Sequence, residues 1–288
     1  MPISLGPCFS ITHEKAQSQI GNKDKITMHS AEKSQRSGVK RRPDYVPTSP
    51  QEEFIVPLLK QSIESRLKAL ASNASAKQSK PVRVLDAGCG RQPFRHFFES
   101  PDFVYHSFDV QTHEGEELDY VGPLDGELPR DLTAAEPFDF ILCTEVLEHV
   151  ADWNKAYENL SSLLAPGGQI LMTIPHFYPL HEEPYDFWRP TRYAVEFYAK
   201  RYGMKLHEYE ALGDSFDILG TLLARQVIRA KDHYHFWDRQ YAKIARVVQE
   251  RLRKLLTSRR LQKHLVDLGP LYISNLAVLR HVDDETTS

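Results

Sequence analysis

At 288 residues, with 41% hydrophobic and 26% charged residues, the chain has the composition of a soluble globular protein: one large domain with extensions, or two small domains. A net charge of -3 at pH 7 does not favour a general nucleic-acid binder, and no apolar run is long enough to cross a bilayer. Cys8, Cys89 and Cys143 are too few and too scattered for a disulfide framework, and the first residues lack the basic-then-apolar order of a signal peptide, so a reducing, cytoplasmic setting is expected.

Residues 1–45 are polar, with a basic stretch at Lys33 to Arg42 and no apolar period, and are expected to form a disordered arm. Ser49 with Glu52 reads as a capping box. Phe54, Leu58, Leu59, Ile63 and Leu67 then recur at helical spacing, which predicts a helix over 51–71, bent near Pro57. From Pro81 onward strands and helices alternate. Strands are expected at 82–87, 103–109, 119–122, 138–144, 169–175 and 204–210, and helices at 92–99, 152–164 and 191–202. Such alternation predicts an α/β fold with a parallel sheet covered on both faces. Helices are expected again at 216–228 and 236–265, and a last strand at 271–280 completes the sheet. The stretch 46–282 reads as one domain, with a helical insertion at 230–268 and a polar tail at 283–288. The basic residues of that insertion outnumber its acidic ones. They form either a solvated face or a docking surface for an anionic acceptor.

The chemistry is organised around Val82 to Gly90. A β-rich run ends in Gly88-Cys89-Gly90, whose two glycines let the backbone turn sharply and approach a ligand closely. Pro93 near the start of the following helix leaves a helix N-terminus facing the turn. Asp109, nineteen positions past Gly90, ends the second strand, where a carboxylate accepts hydrogen bonds from both hydroxyls of a ribose; the alternative is a loop Asp capping a turn. Asp125, before Gly126, is placed to reach an adenine amino group.

Four runs carry a resemblance: Val-Leu-Asp-Ala-Gly-Cys-Gly, then Ser-Phe-Asp, then Phe-Asp-Phe-Ile-Leu-Cys-Thr-Glu-Val-Leu-Glu-His-Val, then Leu-Ala-Pro-Gly-Gly-Gln-Ile-Leu-Met-Thr-Ile-Pro. In this order the chain resembles the class I S-adenosylmethionine-dependent methyltransferases of the methyltransferase type 11 kind, over about 81–212 and the last strand. The resemblance implies a Rossmann-like, doubly wound seven-stranded sheet with its last strand antiparallel, and S-adenosyl-L-methionine across the strand ends. It implies that Asp86, Gly88, Cys89 and Gly90 hold the amino-acid end of the cofactor and that Asp109 holds the ribose. Asp125 would hold the adenine side, and Cys143 and Thr144 would line the methionine portion. Arg91-Gln92-Pro93 departs from the family's usual small residues after the glycine turn.

A hydroxyl acceptor needs a base or a metal to take up its proton. Glu145, Glu148 and His149 follow the fourth strand at i, i+3 and i+4, which puts them on one side of a helical turn. His176 to Thr191 follows the fifth strand and is dense in His, acids and aromatics. Glu145, Glu148, His149 and His181 make up a candidate site for Mg²⁺ or Zn²⁺. The arrangement resembles one in small-RNA 2′-O-methyltransferases and some ubiquinone-pathway O-methyltransferases; the other reading has Glu148 and His149 holding a loop. His181, Glu145 and His149 are the candidate catalytic groups, His181 as a metal-free base among the readings. Tyr185, Phe187 and Trp188 either stack on an acceptor or pack in the core. Arg189 or Arg192 either binds an acceptor anion or pairs with Glu182, Glu183 or Asp186. The expected reaction is O-methylation of a small hydroxylated or sugar-containing acceptor, such as a glycan or natural product. An RNA 2′-O-methyltransferase and a non-catalytic cofactor-binding protein are the competing readings, with nucleic acid disfavoured by the net charge.

Overall fold

The structure is a computed structural model, and it describes residues 45–77, 80–112, 117–225, 236–256, 258, 261, 264 and 271–282. The expected polar arm, apart from Tyr45, and the expected tail at 283–288 lie outside the described residues.

Seven strands form one sheet: β1 (Val82–Ala87), β2 (Phe103–Asp109), β3 (Tyr120–Val121), β4 (Phe138–Thr144), β5 (Leu164–Pro175), β6 (Met204–Leu212) and β7 (Ser274–His281). Their order across the sheet is β3-β2-β1-β4-β5-β7-β6. The pairs from β3 through β5 are parallel, and β7 runs antiparallel to both β5 and β6. The order reverses beside β1. In open α/β sheets ligands bind at such a switch point, outside the carboxyl ends of the strands.

The central strands are largely apolar because both faces are covered. Alternate residues divide between two cores. Ile141 and Cys143 of β4, with Ile170 and Met172 of β5, pack with Trp153, Tyr157 and Leu160 of helix α3 (Trp153–Leu163) and with Val195 and Ala199 of α4 (Arg192–Arg201). Phe140, Leu142 and Leu171 face the other way, onto Leu59, Ile63 and Leu67 of α1 (Val56–Lys77) and Ile218 of α5 (Ser215–Arg225). A short helix α2 (Arg130–Thr133) precedes β4, and α6 (Phe236–Leu256) follows α5.

Several boundaries differ from the sequence expectations. Pro57 does not bend α1. It stands in the first turn, where its missing N–H costs no hydrogen bond, and residues 51–55 are turns. Glu52 takes the N–H and hydroxyl of Thr48, at 2.6 and 2.8 Å, rather than capping with Ser49. The expected helix over 92–99 shrinks to one 3₁₀ turn, Arg95–Phe98. β5 starts five residues early, at Leu164, and its pairing with β4 shifts register between Phe138 and Phe140. Of the one or two helices expected over 236–265, α6 covers Phe236–Leu256, and most of 257–265 lies outside the described residues. Gly220 lets α5 meet the turn ahead of α1, since a Cβ there would lie 2.1 Å from the Phe54 ring.

Candidate active site

The turn after β1 is built from left-handed backbone. Gly88 has φ +76° and Gly90 φ +53°, and both suit glycine because side chains clash there. The turn is laced to the end of β2. Gly88 N–H and Cys89 N–H both donate to the Phe108 carbonyl, at 2.7 and 3.2 Å. Gly90 N–H donates to Asp109 Oδ2 at 2.8 Å, and Val110 N–H to Asp109 Oδ1 at 2.7 Å. Asp109 therefore caps the glycine turn while its side chain stays partly exposed at the strand end.

Asp86 is buried behind this turn and accepts a hydrogen bond of 2.8 Å from the Tyr105 hydroxyl. Burial is the main cause that lifts its carboxyl to about 7; the Tyr105 hydrogen bond opposes the rise and nearby Asp109 adds to it. Asp125 lies beyond β3, where its Oδ2 accepts the Asp152 N–H at 3.2 Å. That bond ties the loop after β3 to the N-cap of α3, since Asp152 itself accepts the N–H groups of Asn154 and Lys155. Cys89 is buried, and burial pushes its thiol up.

Cys143 and Thr144 end β4 differently. Thr144 is partly exposed, whereas Cys143 is wholly buried in the core with Leu147 and Tyr157. Its thiol is turned away from any ligand at the strand end, and burial pushes it up. The reason is strand parity: Cys143 shares a face with Ile141, which packs under α3.

Glu145 follows at φ +53°, an uncommon backbone for a residue with a side chain. Its N–H donates to the Thr173 carbonyl at 3.0 Å, and the Ser274 hydroxyl lies 3.5 Å from its Oε1. Loss of hydration raises its carboxyl well above the usual range, against opposing effects of Thr173, Arg189 and Ser274.

Glu148 and His149 come next, on a 3₁₀ turn over Leu147–His149. The loop after β5 folds back onto this turn. Phe187 N–H and Trp188 N–H donate to the Glu148 carbonyl at 2.8 and 3.3 Å, and the Trp188 indole donates to the Val150 carbonyl at 2.8 Å. His149 Nδ1 lies 2.8 Å from the Tyr185 carbonyl, which leaves Nε2 directed toward Glu148 Oε1 at 3.7 Å and Glu182 Oε2 at 3.9 Å. The His181 ring meets the His149 ring edge-on at 4.8 Å. Glu148, His149 and His181 thus each bring one ligand-type atom within 4.8 Å of the others. Glu145, expected in the same set, is not part of this cluster and faces Thr173 and Ser274.

Arg189 is held inside the loop. Its guanidinium grips Asp186 with two hydrogen bonds of 2.6 and 2.7 Å and donates to the carbonyls of Tyr178 and Trp188 at 3.1 and 2.8 Å. Asp186 also accepts the His181 N–H at 3.0 Å and stands 3.3 Å from His181 Nδ1. Burial raises the Asp186 carboxyl, but Arg189 and His181 outweigh it and hold it below the usual range. Tyr185 enters this network through its carbonyl, and Trp188 packs on Trp153 at 5.5 Å. Sequence reasoning gave Asp186 only as a possible partner of an arginine. It missed Thr173, Ser274 and Val146, which reach the site from β5, β7 and the wall behind Gly88 and carry no motif.

A family model described as "Methyltransferase domain" matches residues 59–259. No curated protein matches the sequence. Among solved structures, the fold is similar to a SAM-dependent methyltransferase from Archaeoglobus fulgidus, at 14% identity and TM-score 0.45, covering 76% of this chain and 93% of that one. It is similar to the O-methyltransferase of a trans-AT PKS multienzyme of Brevibacillus brevis, solved with S-adenosyl-L-homocysteine, at 15% identity and TM-score 0.45, with 83% and 82% covered. A third is phosphoethanolamine N-methyltransferase 2 of Haemonchus contortus, at 17% identity and TM-score 0.41, with 75% and 52% covered. Because the family model spans well over half of the sequence and the sheet has the expected seven strands with the last antiparallel, the chain belongs to the methyltransferase-domain family and is a class I S-adenosylmethionine-dependent methyltransferase.

Proposed function

We propose that the enzyme methylates a hydroxyl oxygen of a small acceptor, a glycan or other hydroxylated natural product, with Glu145 as the base. The observation that carries this reading is the placement of Glu145: a partly exposed residue on left-handed backbone at the end of β4, whose carboxyl is biased by loss of hydration toward holding a proton. A base whose pKa lies near the working pH both accepts and releases a proton readily.

The donor set fits S-adenosylmethionine. The buried Asp86 carboxylate and the turn through Gly88, Cys89 and Gly90 would hold its amino-acid end, Asp109 its ribose and Asp125 its adenine side. Thr144 would line the methionine portion, where Cys143 offers only backbone. When bound, the cofactor supplies an electrophilic methyl group on a sulfonium. Glu145 would take up the proton that the acceptor hydroxyl gives off. His181 is less suited to that role, since its Nδ1 faces Asp186 and its ring is flanked by His149 and Tyr178. Tyr185 and Trp188 line the acceptor side, and Arg189 shapes it by holding the loop.

The cluster of Glu148, His149 and His181 supports a divalent cation as an additional component. Two imidazoles with one carboxylate suit Zn²⁺ better than Mg²⁺, which prefers oxygen ligands. The His149 Nδ1 contact with the Tyr185 carbonyl and the His181 contact with Asp186 would orient the two imidazoles toward such an ion. A cation there would supply positive charge toward the acceptor oxygen.

The test supplies labelled methyl donor with pooled hydroxylated metabolites to the wild type and to Glu145→Gln. Label transfer should fall by roughly two orders of magnitude or more while S-adenosylhomocysteine affinity by calorimetry is unchanged. Equal transfer by the Gln variant removes Glu145 as the base. Zn²⁺ titration of the metal-free protein, against His181→Ala, decides the cation separately: no uptake by the wild type ends that component.

A further inference from the structure

α6 carries an apolar stripe that no described residue covers. Trp237, Tyr241, Ile244, Val248, Leu252 and Leu255 recur every three or four residues, and their exposures run from 38% at Leu252 to 67% at Trp237. They share one face of a 21-residue helix, about 31 Å long. A different face carries the contacts with the rest of the domain. There Gln249 donates to the Leu223 carbonyl, Arg253 pairs with Glu53, and Leu256 is buried. The stripe is therefore not the seam by which the helix is held.

Charge decides among the occupants. Besides Arg253, which Glu53 and Glu250 engage, five basic residues, Arg239, Lys243, Arg246, Arg251 and Lys254, stand against Asp238 and Glu250 on α6, in a chain whose net charge is -3. A second copy docking stripe to stripe would leave the basic residues other than Arg251 on the far sides of the two helices, where the other copy offers them no anionic group. It would also set Arg251 in the seam, because a heptad continued from Ile244 and Val248 calls for an apolar residue at 251. Leu252 stands one place later and keeps the period of a straight helix. A nucleic-acid backbone would match the charge but leave the stripe in water. A layer with anionic groups above an apolar interior satisfies both faces, and aromatic residues at one end suit its interfacial zone.

We propose that α6 is an amphipathic anchor that lies on the surface of an anionic lipid bilayer, with the stripe in the acyl boundary and the basic residues at the headgroups. No helix among the described residues is long and apolar enough to cross a membrane, so the contact is peripheral. The proposal does not depend on the acceptor or on Glu145.

The test is co-sedimentation of the full chain with vesicles of phosphatidylglycerol in phosphatidylcholine, compared with phosphatidylcholine alone. The wild type should pellet with the anionic vesicles only, and less so in high salt. Joint replacement Trp237→Glu, Ile244→Glu and Val248→Glu should lower partitioning roughly tenfold or more. S-adenosylhomocysteine affinity should stay at the wild-type level and show that this variant is folded. As a second measurement, bromolipids should quench part of the wild-type tryptophan emission. Trp237→Phe should bind as tightly but lose that quenching. Absence of wild-type binding to anionic vesicles, or equal binding by the triple variant, overturns the proposal. So does a wild-type dimer in sedimentation velocity that the triple variant abolishes, or salt-sensitive RNA binding tighter than the vesicle binding.

Discussion

A Cβ added to Gly88 would lie 2.3 Å from Cγ2 of Val146, and Gly88 itself has φ +76°. The turn at the end of β1 is thus fixed by the residue that follows Glu145 after β4, not by its own sequence alone. Gly88→Ala meets both a clash and a disfavoured backbone, and should lower the free energy of unfolding by about 2–4 kcal/mol. Adding Val146→Ala should return part of that loss, which a double-mutant cycle by chemical denaturation measures. Strict additivity would show that the contact does not matter.

Asp109 holds Gly90 N–H at 2.8 Å, and the proposed function gives it a second task, holding the ribose of the cofactor. Asp109→Asn keeps the size and an acceptor oxygen but loses the charge. Hydrogen bonds to a charged group contribute about 1.5–3 kcal/mol, so cofactor affinity should fall roughly tenfold to a hundredfold. Calorimetry with S-adenosylhomocysteine gives the answer, and an unchanged affinity would leave Asp109 only its capping role.

Much of the architecture was readable because strands buried on both faces carry short apolar runs, as 140–143 and 170–172 do. Pro57 was misread because Pro bends a helix interior but suits its first turn, and only the true start of α1 distinguishes the two. Cys143 was legible in principle: it shares strand parity with Ile141, and that parity points into the core. The loop after β5 was legible as a composition but not as a shape. Arg189 and Asp186 stand three residues apart. Whether such a pair is a surface bridge or a clamp over His181 depends on the loop's return to the Leu147–His149 turn, which no local pattern encodes.

Asp86 sets a pH dependence with a definite sign. Its carboxyl is raised from 3.8 to about 7 in the folded chain, so the folded state binds more protons than the unfolded one between these values. Its contribution therefore makes stability fall as pH rises from about 4 to 7 and stay level above that. The three-unit rise caps this contribution at roughly 4 kcal/mol. Asp86→Asn should flatten that slope in urea titrations across this range. An equal slope in the variant would assign it to other groups.

Arg189 meets Asp186 through two parallel hydrogen bonds, and the Asp186 side chain is only 1% exposed. Removing the guanidinium leaves a buried carboxylate without its counter-charge, a change that costs about 3–5 kcal/mol in comparable pairs. The cost need not fall on the whole fold, because the loop can open and let Asp186 reach water. Arg189→Ala should therefore speed amide hydrogen exchange across 176–191 while β1 and β4 stay protected. Arg189→Lys should not restore protection, since an ammonium cannot grip both carboxylate oxygens in the planar fork. Acid should act in the same direction in the wild type. The Asp186 carboxyl is held below its usual range, so its stabilisation is present above the ordinary carboxylate pKa and lost as pH falls through the lowered one. Loop exchange that is indifferent to both Arg189 and acid would mean that the clamp does not hold His181 in place.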